Sequence, residues 1–172
     1  TGTSALDSIV NQLNGEAFKL TDGKRTVMET RLKLSTVDAD WFVGLAATKT
    51  DAESNNPDYI GFGNTDSDED INFVTGKDSA SPGEIADVAD RSGHTATDSG
   101  VDWVADTYVL LRWEADGVDS VEFFVDGVLK GKHISDICDD VTLTPTIIIK
   151  VNTGHTGAET MTMDYIYIAT ER

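Results

Sequence analysis

The chain is poor in cysteine and positive charge, and each scarcity excludes something. With Cys138 alone, no intrachain disulfide forms and no cysteine zinc set is available, so the fold rests on packing. The 13 lysines and arginines stand against 31 aspartates and glutamates, a net charge of −18. So acidic a surface repels a phosphate backbone and excludes nucleic acid as a partner; its plain use is solubility in salty or crowded surroundings. No apolar run approaches the ~20 residues of a bilayer-crossing helix, so no membrane partner is expected. The three histidines, His94, His133 and His155, lie far apart without the paired spacing of metal ligands, and are read as surface or loop residues. No Gly-x-Ser-x-Gly elbow occurs, and no glycine-rich phosphate loop. The first residues, Thr1-Gly2-Thr3-Ser4, show neither an initiating methionine nor a charged-then-apolar leader, which points to processing, truncation or incomplete assignment there.

What is present is an ordinary apolar share, 39% of 172 residues, enough for the core of one domain. Leu6, Ile9, Val10 and Leu13 recur at i, i+3, i+4 and i+7, Ser4 and Asp7 resemble a capping box, and Asn14-Gly15 is a stop signal. The spacing predicts a short helix near residues 5–13. It makes residues 1–14 a helical arm or cap, whose apolar stripe is a candidate contact with a partner or a neighbouring subunit.

From Glu16 onward the period becomes two. Met28, Leu32 and Leu34 share one face while Glu29, Arg31 and Lys33 share the other, as in a half-buried strand. Trp41 to Ala47 is nearly continuous in apolar residues, as expected of a strand covered on both sides. Tyr59 to Gly63 and Ile71 to Val74 read as a hairpin around an acidic turn, and residues 76 to 100 as a long excursion with a helical turn near 84–90. Val109, Leu111 and Trp113 alternate with Arg112 and Glu114; Val121, Phe123 and Val125 follow, and Asp126-Gly127 suits a two-residue hairpin turn. Thr146 to Val151 and Met161 to Ala169 complete about ten to twelve strands. Such a count favours two stacked antiparallel sheets, an all-β jelly-roll sandwich over residues 15–172, because one open sheet would expose its edges and an apolar face.

The candidate sites are few. Asp66, Asp68 and Asp70 alternate in the acidic turn and are candidate calcium ligands, although an EF-hand is excluded: Ile71 follows Asp70, and the twelfth position from Asp66 is Lys77. No other cofactor is indicated. A glycosidase of this architecture needs two carboxylates on one strand face, and no Glu-x-Asp-x-Glu run occurs; Glu114-Ala115-Asp116 ends at a glycine and reads as a solvated turn. The chain is therefore expected not to be an enzyme. Trp41 and Trp113 fall on core faces, whereas Trp103 and Tyr108 flank a loop leading into a strand and are the candidate sugar-stacking platform.

Gly23-Lys24-Arg25, Glu29 to Leu34, Trp41 to Ala47, Tyr59 to Phe62, Val121 to Gly127, Leu143-Thr144-Pro145 and Met163 to Ile168, in that order, resemble the concanavalin A-like (LamG-like) domains of tailed-phage virion structural proteins. The resemblance covers about Gly15 to Arg172. It implies a capsid surface decoration protein, located on the virion and homo-oligomeric, with the phage major capsid protein as partner and a lectin-like face open to glycans. A carbohydrate-binding module of a secreted or surface protein is the alternative.

Overall fold

The computed structural model describes residues 8–13, 18–37, 39–48, 56–65, 69–78, 93–150 and 159–172. They form eleven strands: β1 (Ser8–Gln12), β2 (Arg25–Leu34), β3 (Asp40–Ala47), β4 (Tyr59–Asn64), β5 (Asp70–Gly76), β6 (His94–Asp102), β7 (Val109–Asp116), β8 (Ser120–Val125), β9 (Val128–His133), β10 (Leu143–Lys150) and β11 (Met161–Thr170). A six-stranded sheet runs β1-β10-β3-β4-β5-β6, and a five-stranded sheet runs β11-β2-β7-β8-β9. Every pairing is antiparallel, and the two sheets stack as a jelly-roll sandwich. No helix occurs among the described residues.

Alternation decides which side chains enter the sandwich. Met28, Leu32, Leu34, Leu111, Trp113, Val121 and Phe123 from the five-stranded sheet meet Trp41, Val43, Leu45, Ile60, Phe62 and Phe73 from the other. Phe73 and Phe123 stack across the gap at 4.9 Å and 12°, with Phe62 edge-on to both. Each ring adds about 1.5–3 kcal/mol by burial alone. The expected hairpin turn forms as its residues demand: Asp126 and Gly127 take φ of 50° and 77°, and Val125 pairs with Val128.

The N-terminal segment departs from expectation. Ser8–Gln12 is a strand, laid antiparallel along β10 with Val10 opposite Ile148, and not a turn of helix. The free edge of β10 offers a full ladder of hydrogen bonds, which outweighs a local helical spacing that buries nothing by itself. The excursion expected over 76 to 100 also contains a strand, β6; its expected helical turn near 84–90 lies outside the described residues.

Candidate functional site

The outer face of the six-stranded sheet is built on glycine. A Cβ on Gly44 would stand 2.2 Å from the Ile60 carbonyl oxygen, and one on Gly61 2.4 Å from that of Val43, so the Phe42 ring lies directly over both residues. Tyr59 lies over Gly76 in the same way, and its hydroxyl is hydrogen-bonded to Nδ1 of His94. Phe42, Ala46, Tyr59, Val74 and Ile148 form a second buried apolar cluster there. No strand of this sheet sets carboxylates at i and i+2 on that face among the described residues. On β4, Gly61 and Gly63 face outward and carry no side chain, so the paired acids of a retaining or inverting glycosidase have no support on that strand.

The outer face of the five-stranded sheet is the opposite: open, charged and aromatic. A bulge between Met163 and Tyr165 in β11 sets both Asp164 and Tyr165 beside Arg31 of β2. Tyr165 and Tyr167 are 40% and 54% exposed. The Tyr165 hydroxyl donates to Glu29 Oε1 at 2.7 Å, and that carboxylate holds the phenol above its ordinary pKa. On the other side of β2, the Arg31 guanidinium lies 4.2 Å from the Tyr108 ring centre and the Lys33 ammonium 5.5 Å from it. Further along, Glu114 of β7 is gripped by Arg25 and Arg112 and is only 11% exposed. It faces Glu122 across the strand pair, which lies 3.6 Å from Lys132.

The expected site residues are scattered over this frame. Tyr108 is half-buried on the open face. Trp103, expected at the surface, is 3% exposed: its segment crosses from the six-stranded to the five-stranded sheet, and the indole turns inward to meet Trp41 edge-on at 5.1 Å. It is core and not a stacking platform. Of the calcium candidates, Asp66 and Asp68 lie outside the described residues, and Asp70 pairs with Asp102 at the start of β5. Of the partner stripe, Leu6 lies outside them, Ile9 and Leu13 are exposed, and Val10 packs on the second apolar cluster. Strand geometry turns Ile9 and Val10 to opposite faces and divides the stripe.

Three buried groups were missed: His94, expected at the surface but 4% exposed beneath Tyr59, His133, and the neighbours Asp58 and Cys138. His133, read as a surface residue, is enclosed between the sheets, with Nδ1 3.0 Å from Thr75 Oγ1 and Nε2 3.1 Å from Thr97 Oγ1. Burial, with His94 nearby, lowers its pKa to about 4. Asp58, Cys138 and Asp140 bring their donor atoms within 4.8 Å of one another. Burial raises the Asp58 carboxyl, with the charges of Asp140 and Asp78 adding to it, and pushes the Cys138 thiol up to about 12. Asp58 and Cys138 of this group are buried and Asp140 is exposed.

No family model and no curated protein matches the sequence. Solved structures do match by shape. A glycoside hydrolase family 16 protein of the Bacteroides ovatus mixed-linkage glucan locus is similar at a TM-score of 0.60 and 13% identity, over 94% of this chain and 74% of that one. An alginate lyase from Pseudomonas aeruginosa is similar at 0.54 and 7%, over 87% and 66%. Sheep galectin-11 is similar at 0.51 and 9%, over 96% and 100%. The expectation that this chain is not an enzyme is corrected by these findings: its structural neighbours are largely glycoside hydrolases and alginate lyases, and a missing acid motif does not make a binding module. At such identities the likeness is one of architecture, and the chain is an all-β, two-sheet jelly-roll sandwich of the kind shared by family 16 glycoside hydrolases and galectins.

Proposed function

We propose that this chain is a carbohydrate-recognising jelly roll whose saccharide lies on the outer face of the five-stranded sheet. The observation that carries the reading is the pair of exposed rings, Tyr165 and Tyr167, set among Glu29, Arg31 and Arg112. A sugar ring stacks its C–H face on an aromatic ring while its hydroxyls seek donors and acceptors, and this face offers both within one strand spacing. The bond from Tyr165 to Glu29 orients the ring in advance, which lowers the ordering cost of binding. Support also comes from the fold, which is shared with proteins named for mixed-linkage glucan and alginate chemistry.

The virion reading is not adopted. It rests on segments such as Trp41 to Ala47 and Val121 to Gly127, which the fold uses for its two apolar clusters and for the hairpin turn at Asp126 and Gly127. A glycan array followed by calorimetry tests the proposal. Stacking contributes about 0.5–1.5 kcal/mol beyond area burial, so Tyr165→Ala or Tyr167→Ala is expected to weaken binding by about tenfold. Wild-type protein that binds no glycan, or binding indifferent to both substitutions, refutes it.

A further inference from the structure

The five-stranded sheet carries a second feature on the same outer face. Where β2, β7, β8 and β9 end, a depression of about 380 Å³ is lined by Arg25, Glu114, Asp116, Glu122, Lys132 and Glu171, among others. It lies in line with the tyrosines along β2. Tyr165 is in register with Arg31, and Arg25 stands six residues further along the same strand, ~20 Å at strand rise and the length of about four extended pyranose units. The side chains between, Val27 and Glu29, face the same way, so the face runs unbroken from rings to depression.

The depression has a definite charge. Four carboxylates line it against two cations, and Arg112, which also grips Glu114, supplies a third from beside it. Arg25 is committed to Glu114, and its backbone N–H donates to Glu171 at 3.1 Å; Lys132 lies 3.6 Å from Glu122. Asp116 makes no ion pair or side-chain hydrogen bond among the described residues. A carboxylate on a ligand would meet that uncompensated charge at close range, within a chain of net charge −18. Sugar hydroxyls, by contrast, donate to carboxylates and accept from guanidinium and ammonium groups.

We propose that this depression is the far subsite of the saccharide face, and that the ligand is an extended glycan of about four units or more that bears no acidic groups. The inference rests on the reading of the tyrosine face and adds to it a position, a length and a charge class. It separates this chain from an alginate-type ligand, although the fold is shared with alginate lyases.

The test is calorimetry on the full chain with neutral gluco-, galacto- and xylo-oligosaccharides of two to six units and with oligouronates of the same lengths, at low and high salt. Affinity for the neutral series is expected to rise with length and level off at about four units. Oligouronates are expected to bind at least tenfold more weakly at low salt, and the gap to narrow at high salt and in Asp116→Asn, an exposed position whose loss leaves the fold intact. Oligouronates binding as tightly as neutral chains at low salt, or two units binding as well as four, overturns the subsite. If Tyr165→Ala still weakens binding in that case, the saccharide face stands and only the subsite falls. If no oligosaccharide binds at all, both fall together.

Discussion

Replacing His133 by glutamine is expected to remove an acid-sensitive component of stability. The imidazole is sealed between the sheets, edge-on to Phe123 at 5.0 Å and Phe73 at 6.0 Å, and bonded through both nitrogens to Thr75 and Thr97. Both bonds are to hydroxyls, which can donate or accept, so they hold the ring in place while burial, which penalises the charged form, sets its protonation. Burial is the main cause of the low pKa of about 4; His94 lowers it further, and Asp136 opposes the shift. In the unfolded chain the ring titrates near 6.5, so below that pH the unfolded state binds a proton that the folded state refuses. Stability is therefore whole above pH 6.5, falls as the pH drops, and has lost the full amount by about pH 4. A gap of that size corresponds to about 3 kcal/mol. Denaturant titrations of wild type and His133→Gln from pH 7.5 to 3.5 measure it. Glutamine keeps one donor and one acceptor for the threonines but does not titrate, and the carboxylates that also protonate near pH 4 are common to both proteins. The difference between the two stability curves is expected to be flat above pH 6.5 and to swing by about 3 kcal/mol in favour of the glutamine variant by pH 4. Parallel curves would refute the reasoning, because they would mean that His133 is as hydrated when folded as when unfolded.

Three further outcomes follow from the packing. Gly44→Ala must press a methyl into the Ile60 carbonyl at 2.2 Å, and is expected to cost about 3 kcal/mol, seen as a Tm lowered by roughly 6–12 °C. Phe123→Ala empties the place where three phenylalanine rings meet and is expected to cost about 3–5 kcal/mol in denaturant unfolding; a loss below 1 kcal/mol would mean that the stack is not the centre of the core. Cys138, buried and with its thiol raised to about 12, is expected to resist a thiol reagent at pH 8 in the native chain and to react at once in denaturant; prompt native labelling would contradict its burial.

The strands that could be read from the sequence are those whose two faces meet different surroundings. Met28, Leu32 and Leu34 look into the core while Glu29, Arg31 and Lys33 look out, and β2 forms over those residues; β7 and β8 show the same contrast. β6 escaped because its inward residues are polar. Thr97 meets the His133 ring, and Thr95 meets Ser135 and Asp136, so the edge between the sheets is closed by hydrogen bonds and carries no apolar period. β1 was misread for a related reason: the spacing of Ile9, Val10 and Leu13 fits a helix as well as a strand, and only the free edge of β10, more than 130 residues away, decides between them. For Trp103 the sequence shows only a loop position, which does not say which way a crossing segment turns, and the indole turns inward onto Trp41.

The candidate site was illegible for a deeper reason than any of these. Glu114 reads as a turn acid beside a glycine, yet its side chain is only 11% exposed on the open face because β2 inserts between β11 and β7, bringing Arg25 to it from 89 positions away. The same insertion carries Arg31 between Tyr165 and Tyr108. Each ingredient is ordinary in sequence: an arginine on a solvent face, a tyrosine near the C-terminus. Strand order alone makes them neighbours, and local periodicity does not encode strand order. The two outer faces differ for the same reason. On the six-stranded sheet, adjacent strands bring glycines together and leave a shelf that Phe42 and Tyr59 close over. On the five-stranded sheet, adjacent strands bring opposite charges together, and charges so paired remain at the surface, because burying them would exact a desolvation cost that pairing does not repay. Hence the open face is the one whose residues stay solvated, most of its charges paired with a neighbour and Asp116 left without one among the described residues.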